Sequence, residues 1–155
     1  MNHFIKSVDS CELINFNKAV MLDKSFRFFS SIRDTEVLHA ESGLCSFGVI
    51  NSGQLIAYIL FTVEKENSEI QSISVDPFFR RQGWGENLLC RVLHFSIGKG
   101  CGVCTLRVRV SNSPAIALYE KQHFFVGRKL CRYYDEPCED GYEMTCDLGQ
   151  VLSPE

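Results

Sequence analysis

The stretch from Ile73 to Asn87 constrains the possible folds of this chain more than any other. It begins as an alternating apolar strand, breaks at Pro77, has two glycines at Gly83 and Gly85, and continues as an amphipathic run. A helix N-terminus leaves backbone N–H groups unpaired and carries partial positive charge, and glycines there let phosphate oxygens approach the backbone. The stretch therefore predicts a strand, a glycine loop and a helix that bind an anion.

Two arginines, Arg80 and Arg81, stand beside the glycines and favour an anion, because guanidinium groups bind phosphate oxygens in pairs. The pattern is not a P-loop, since no Lys-Ser/Thr pair follows the second glycine. It is not a dinucleotide fingerprint either, because Leu88 stands where that motif has its third glycine. The alternative is an ordinary strand-to-helix turn in which Gly83 only supplies a positive φ angle.

Length and composition indicate a globular protein. With 155 residues, 45% of them hydrophobic and 23% charged, we expect a single domain over residues 1–150 and a short tail at 151–155. The net charge of −3 gives no overall attraction for nucleic acid or an anionic membrane. No apolar run approaches the roughly 20 residues that span a bilayer, and the N-terminus lacks the apolar core of a signal peptide. We expect a cytoplasmic protein without nucleic-acid or membrane partners.

The eight cysteines raise the question of disulfides or zinc. Cys101 and Cys104 are the only closely spaced pair, and no second pair stands at zinc-ligand spacing. Most cysteines lie within apolar strand or helix patterns, where a free cysteine acts as a small hydrophobic residue. We therefore expect buried free thiols and no metal. The cysteines within apolar patterns are Cys45, Cys90, Cys104, Cys131 and Cys146.

Hydrophobic periodicity predicts an α/β (α+β) fold. A helical crossover joins the strands 69–75 and 105–110, which makes these two strands parallel. Where they part at their carboxyl ends, the sheet would leave a cleft for a cofactor. The remaining strands predict a mixed, mostly antiparallel central sheet of about seven strands, with about four helices and a polar loop at 135–141. The predicted strands are 4–8, 45–50, 55–63, 69–75, 105–110, 124–134 and 142–148, and the predicted helices are 9–21, 23–32, the run from the glycine loop to Gly98, and 115–122.

Residues 73–87 resemble motif A of the GCN5-related N-acetyltransferases, the GNAT superfamily, which reads Val-x-Pro and then Arg/Gln-x-x-Gly-x-Gly. Residues 111–124 resemble the Ser-Asn-x-x-Ala-x-x-Leu-Tyr-x-x-x-Gly-Phe segment of the RimI-like N-terminal acetyltransferases within it. Residues 133–144 are similar to the strand, loop and strand that close that group's domain. The resemblance covers about residues 45–148 and implies the GNAT fold, with acetyl-CoA as cosubstrate.

The resemblance also implies roles in a direct transfer of acetyl to an amine, without a metal. The strand segment Ile73, Ser74 and Val75 would pair with the pantetheine arm. Asn112 would contact the CoA arm, and Tyr119 would give a proton to the departing thiolate. Helix capping by Asn112 and helix packing by Tyr119 are the structural alternatives. The residues assigned to the pyrophosphate loop are Arg80, Arg81, Gln82, Gly83, Trp84, Gly85 and Glu86.

One position departs from the RimI-like pattern. That group carries a glutamate or a histidine on the strand before Ser-Asn, and this chain has Arg107 there. An arginine stays protonated and cannot accept the proton of the amine. The replacement candidate is Glu69, which would take the proton through water; alternatively it is a solvated residue at the start of a strand. His123 is a further candidate, in a turn where the family usually has glycine.

The implied acceptor is a protein N-terminal α-amine, held by Tyr133 and Tyr134 of the closing strands. Phe26, in the predicted helix 23–32, either packs in the core or a lid, or contacts this substrate. The aromatic-Pro-Trp-Ser stretch typical of RimI-like proteins is absent at 21–26, which argues against their ribosomal-protein substrate. Two alternatives stay open: a GNAT enzyme acting on a small-molecule amine or a lysine side chain, and a catalytically degenerate module that binds acetyl-CoA.

Overall fold

The structure is a computed structural model, and it describes residues 4–6, 43–52 and 54–151. The helices predicted at 9–21 and 23–32 lie outside these residues, and so does Phe26. The described strands are β1 (Phe4–Lys6), β2 (Leu44–Asn51), β3 (Gln54–Glu64), β4 (Asn67–Val75), β5 (Val103–Arg109), β6 (Phe125–Asp135) and β7 (Cys138–Asp147). The described α-helices are α1 (Trp84–Gly98), α2 (Ser113–Lys121) and α3 (Leu148–Val151).

The seven strands form one sheet with the order β1-β2-β3-β4-β5-β7-β6. β4 and β5 pair in parallel, whereas the pairs β1 with β2, β2 with β3, β5 with β7 and β6 with β7 are antiparallel. The parallel pair follows from the crossover through α1, because a strand that returns through a helix enters the sheet in the same direction. The expected mixed, mostly antiparallel sheet is therefore confirmed.

Internal contacts divide the chain into two units, of which the first comprises Met1–Thr62 and Ser72–Leu88. In this unit β1, β2 and β3 form an antiparallel meander, with a β-bulge between Val49 and Ile50. The run from Ile56 to Phe61 in β3 is buried, as its continuous apolar sequence indicates for a strand covered on both faces. β2 ends at Asn51 and β3 begins at Gln54, so the connection between these antiparallel strands is short.

The second unit comprises Val63–Gln71 and Leu89–Glu155. It contains the start of β4 and all of β5, β6 and β7, and the registered pairs of β4 with β5 end at Ile70 opposite Leu106. β5 alternates between a buried and a polar side, as its sequence indicates. The buried positions are Cys104, Leu106 and Val108, and the more exposed positions between them are Thr105, Arg107 and Arg109. The polar side of β5 therefore carries charged groups into the middle of this unit's sheet.

The prediction of a polar loop at 135–141 is wrong. β6 runs to Asp135 and β7 begins at Cys138, so the connection is a turn of only two residues, Glu136 and Pro137. Residues 138–141 belong to β7, where Glu139 forms an ion pair of 3.2 Å with Arg109 on β5. An acidic residue of the predicted loop therefore forms an ion pair with an arginine of a neighbouring strand.

Candidate active site

The segment between β4 and α1 is fixed by hydrogen bonds at its start. The backbone N–H of Asp76 donates to the carbonyl of Ile56 at 2.8 Å. The Asp76 carboxylate accepts from a backbone N–H of the 3-10 turn Pro77–Phe79 at 2.9 Å and so caps that turn. Arg80 Nε donates to the carbonyl of Val75 at 3.1 Å. Arg80 therefore anchors the loop to the end of β4, a role that the sequence did not indicate.

The glycine loop passes into α1 through two residues with positive φ angles. Arg81 has a φ of 63° and Gly83 a φ of 86°. The Gly83 carbonyl accepts from the Asn87 N–H at 2.9 Å, as at the start of a helix. α1 is 15 residues long and begins at Trp84, so its first amide groups give the loop partial positive charge. The seven residues assigned to the pyrophosphate are contiguous in this loop and the first turn of α1.

The three residues assigned to the pantetheine arm form the end of β4. Ser74 is buried, and its hydroxyl has no hydrogen-bond partner among the described residues. Ile73 and Val75 are half-buried. The expected strand is confirmed, and its pairing with pantetheine stays a prediction.

The β5–α2 junction follows the predicted helix start. The Asn112 side chain caps α2 by accepting from the Ala115 N–H at 3.3 Å, and a proline stands in the first turn. Tyr119 lies two turns further along α2 and is buried, with its ring centroid 6.0 Å from that of Phe124. The capping role predicted as the structural alternative for Asn112 is therefore confirmed, and its contact with CoA stays a prediction.

The surroundings of Tyr119 keep its phenol protonated. Burial raises the pKa of Tyr119 well above its ordinary value, and the nearby Tyr134 raises it further. A protonated phenol is a hydrogen-bond donor and a proton source. The side chain is thus chemically suited to act as an acid. Its contact with Phe124 also fits the alternative role of helix packing.

Arg107 occupies the centre of a row of charges on the polar side of β5. It forms an ion pair with Glu69 on β4 and a second one, of 3.5 Å, with Glu143 on β7. Glu143 also pairs with Arg128 on β6 at 3.1 Å. Burial lowers the pKa of Arg107, but the charges of Glu69, Tyr133 and Glu143 outweigh it, so the pKa is raised. Arg107 is therefore a permanent cation and no proton acceptor, as expected.

Tyr133 and Tyr134, assigned to the acceptor, pack against each other in β6. Their ring centroids are 5.0 Å apart and the rings are perpendicular. The Arg107 guanidinium carbon lies 5.8 Å from the centroid of Tyr133, and that of Arg109 lies 4.2 Å from the centroid of Tyr134. Each tyrosine therefore receives a cation–π contact from the polar side of β5.

Arg109 and Glu139 hold the β6–β7 turn against the β5–α2 junction. Arg109 donates to the carbonyl oxygens of Glu136 and Pro137, at 3.2 and 3.0 Å, and pairs with Glu139. Glu139 accepts from the Ser111 N–H at 2.6 Å, and hydrogen bonds from the Ser111 side chain and backbone hold the pKa of Glu139 below the usual range of a glutamate. Sequence reasoning assigned no role to Arg109, Glu139 or Glu143, because their importance depends on which strands are neighbours.

The described cysteines are free thiols, but they are not all buried. Cys104 and Cys146 are buried opposite each other on β5 and β7, and burial raises their pKa values to about 12 and about 11. Cys131, expected to be buried, is exposed, because β6 is an edge strand. In the part of the chain that the structure describes, no three His, Cys, Asp or Glu side chains are grouped to bind a metal ion. None of the described helices is long and apolar enough to cross a bilayer.

Comparison with known proteins gives consistent matches. The profile of the acetyltransferase (GNAT) family matches residues 14–124. The ribosomal protein bS18-alanine N-acetyltransferase of Escherichia coli strain K12 is 27% identical over 149 residues, covering 96% of this chain and 99% of that enzyme. The NAA20 catalytic subunit of the Arabidopsis thaliana N-terminal acetyltransferase B complex is 34% identical over 103 residues, covering 63% of this chain and 58% of that subunit. The crystal structure of Arabidopsis thaliana NAA60 in complex with acetyl-CoA has a TM-score of 0.83 at 18% identity, covering 96% of this chain and 99% of that one.

The chain belongs to the acetyltransferase (GNAT) family, since the family profile covers more than half of it. It is an N-acetyltransferase, and acetyl-CoA is its cosubstrate. The fold and the reaction class that the resemblance implied are thereby confirmed. The arginine at position 107 is a variation within the family and not a reason to place the chain outside it.

Gly83→Ala tests the glycine loop as the acetyl-CoA site. An added Cβ would meet no heavy atom within 4 Å, but the φ of 86° is strained for any L side chain. A strain of about 1–2 kcal/mol shifts the loop away from this conformation. We therefore expect the KM for acetyl-CoA to rise about tenfold, measured by steady-state CoA release.

Gly98→Ala is the matched control, because Gly98 also has open space but no positive φ. Its KM for acetyl-CoA should stay close to that of the parent. If Gly83→Ala behaves like Gly98→Ala, the loop conformation is not needed for cosubstrate binding.

Proposed function

We propose that the acceptor of this acetyltransferase is the α-amine of a protein N-terminus. The observation that carries the proposal is the pair Tyr133 and Tyr134, which the cations Arg107 and Arg109 hold in fixed positions. Two rigid aromatic side chains with polar hydroxyls suit an extended peptide, because they offer contact area and hydrogen bonds at low entropic cost. The Escherichia coli relative that matches nearly the whole chain acts, by name, on an alanine of a ribosomal protein.

We assign the steps of the reaction as follows. Residues 80–86 bind the pyrophosphate of acetyl-CoA through backbone amides, and residues 73–75 pair with its pantetheine arm. Asn112 contacts the CoA arm. These groups fix the thioester so that the amine meets its carbonyl carbon in a reactive geometry.

In the chemical steps, we assign proton transfer to two side chains. The amine nitrogen forms a bond to the thioester carbonyl carbon, and its surplus proton passes to Glu69, through water where the two are not in contact. The C–S bond then breaks, and the departing thiolate takes a proton from Tyr119. The acetylated amine and CoA leave, and solvent restores both protonation states. Burial keeps the phenol of Tyr119 protonated, so this side chain holds the proton that the thiolate needs.

An acceptor panel tests the proposal. The panel contains an alanine-initiated peptide with a free α-amine, the same peptide with a blocked N-terminus and one lysine, spermidine and an aminoglycoside. We expect kcat/KM for the free α-amine to exceed the others by about a hundredfold or more, measured by CoA release with the product confirmed by mass spectrometry. Turnover of a small amine or of the lysine peptide at the same efficiency would contradict the N-terminal assignment.

Gly141→Ala tests whether the two tyrosines contact the peptide. A Cβ on Gly141 would lie 3.1 Å from the ring of Tyr134, which must therefore shift by a few tenths of an ångström, and 3.4 Å from Tyr133, which is an ordinary contact. We expect a higher KM for the peptide and an unchanged KM for acetyl-CoA. Gly127→Ala is the matched control on β6, since its Cβ would approach only Thr145 and a backbone carbonyl.

A further inference from the structure

Tyr133 and Tyr134 depart from the alternation of a β-strand. Consecutive side chains of a regular strand point to opposite faces of the sheet. A Cβ added to Gly141 of β7 would nevertheless lie 3.1 Å from the ring of Tyr134 and 3.4 Å from that of Tyr133, so both rings lie over the same position. Their cation–π contacts, with Arg107 and Arg109, also come from one side of β5. A feature of β6 must therefore turn one ring onto the face of the other.

The pairing of β6 with β7 is irregular directly before Tyr134. Between the paired positions Leu130 and Tyr134, β6 has three residues where β7 has the single residue Asp140. The middle residue of the three, Arg132, has a φ of 48°, in the left-handed region that residues other than glycine rarely adopt. A β-bulge of this kind changes the direction in which nearby side chains point. The bulge therefore accounts for the position of Tyr133 on the face that Tyr134 occupies.

Asp140 holds this bulge from the neighbouring strand. Its carboxylate accepts from the backbone N–H of Arg132 at 2.8 Å and forms an ion pair of 3.0 Å with Lys129. Its carbonyl accepts from the Val110 N–H at 3.2 Å, which fixes the backbone of Asp140. The hydrogen bonds from the Arg132 backbone and the Lys129 side chain hold the pKa of Asp140 below its usual value. An ionised acceptor on a fixed backbone therefore stabilises a φ angle that an arginine rarely adopts.

We infer that Asp140 is a positioning residue of the acceptor site, which acts through the bulge at Arg132 to place Tyr133 beside Tyr134. The inference rests on the proposed role of the two tyrosines in binding the acceptor peptide. Two rings on one face form a continuous wall for an extended backbone, whereas a ring on the opposite face lies out of reach. The missing side chain at Gly141 leaves the space that the two rings share. The bulge therefore sets the shape of the acceptor site.

Asp140→Ala tests the inference through two Michaelis constants. The variant loses the acceptor for the Arg132 N–H, so the bulge relaxes and Tyr133 leaves its position. The KM for the free α-amine peptide should rise about tenfold, because a hydrogen bond to a charged group is lost. The KM for acetyl-CoA should stay at the value of the parent, since the glycine loop is unaltered.

Asp140→Asn and Lys129→Gln separate the hydrogen bond from the ion pair. An asparagine keeps an oxygen that can accept from the Arg132 N–H, so Asp140→Asn should restore most of the affinity for the peptide. Lys129→Gln removes the ion pair with Asp140 and should leave the peptide KM unchanged. An equal rise of the peptide KM in Asp140→Asn and Asp140→Ala would assign the effect to the lost charge and overturn the inference.

A double variant shows whether Asp140 acts through Tyr133. Two changes that act through the same contact are not additive. Tyr133→Ala alone should raise the KM for the peptide, and the addition of Asp140→Ala should raise it little further. Additive increases would mean that Asp140 stabilises the hairpin of β6 and β7 in general, and they would overturn the inference.

Asp140→Glu replaces Asp140→Ala if that variant does not fold, as judged by circular dichroism. The longer side chain keeps the charge but moves the carboxylate out of hydrogen-bond geometry with the Arg132 N–H. The KM for the peptide should again rise, and a value equal to that of the parent would overturn the inference.

Gly141→Ala separates failure of the proposed function from failure of this inference. If Gly141→Ala raises the KM for the peptide and Asp140→Ala does not, only the role of Asp140 is removed. If neither variant raises it, the tyrosines do not contact the acceptor, and the inference is removed with their proposed role.

Discussion

In Tyr119→Phe, kcat should fall by about two to three orders of magnitude, while the KM for acetyl-CoA changes little. The substitution removes one hydroxyl and keeps the ring that packs against Phe124 at 6.0 Å. If Tyr119 supplies the proton to the thiolate, its loss acts on the departure of CoA and not on binding. Steady-state kinetics with varied acetyl-CoA separates the two effects. The loss of an interaction that is made only in the transition state lowers kcat and kcat/KM together.

The pH profile of the parent adds a second test of Tyr119. Burial raises the pKa of this phenol above its ordinary value of about 10, so the phenol stays protonated at neutral and mildly alkaline pH. A group that must be protonated lowers the rate only at pH values above its pKa. We therefore expect no decline of kcat from Tyr119 up to about pH 9.5.

Tyr58→Phe is the matched control for the loss of a buried tyrosine hydroxyl. Tyr58 lies in the core of the first unit, and burial raises its pKa as well. Its kcat should stay near that of the parent, and thermal unfolding of both variants shows whether either loses stability. A Tyr119→Phe enzyme with nearly unchanged kcat would mean that the thiolate takes its proton from another source.

The glycine loop was predictable from sequence because its constraints are local. A strand end, a capping Asp76, a glycine with a positive φ and a helix start all lie within a few residues of one another. The cap at Asn112 and the parallel pair of β4 and β5 were predictable for the same reason, since each follows from one junction or one crossover. Local chemistry therefore predicted the glycine loop and the start of the helix that follows it.

The row of charges was not predictable, because it depends on the register of four strands that are distant in sequence. Arg107 and Glu143 are 36 residues apart, and Arg107 and Glu69 are 38 apart. Nothing in the polar alternation of β5 indicates which carboxylates lie beside it. The same limit explains the wrong prediction of a loop at 135–141, because the ion pair of Glu139 with Arg109 depends on β7 lying beside β5.

The second large effect is expected in Glu69→Gln, where kcat/KM near neutral pH should fall by about a hundredfold. An amide cannot accept the proton that the amine must lose. The loss should shrink as the pH rises, because an α-amine deprotonates without help above its own pKa of about 7.7–8.0. The measurement is kcat/KM for the free α-amine peptide across the pH range, with the acetylated product quantified by mass spectrometry.

Glu66→Gln is the matched control, since it removes an equal charge from the exposed turn three residues earlier. Its profile should coincide with that of the parent. The lost ion pair between Glu69 and Arg107 is partly exposed and contributes at most about 1 kcal/mol to stability, so thermal unfolding should change little and cannot account for a hundredfold loss. If Glu69→Gln keeps the parent's rate and pH profile, Glu69 only pairs with Arg107 in the sheet and the proton acceptor lies elsewhere.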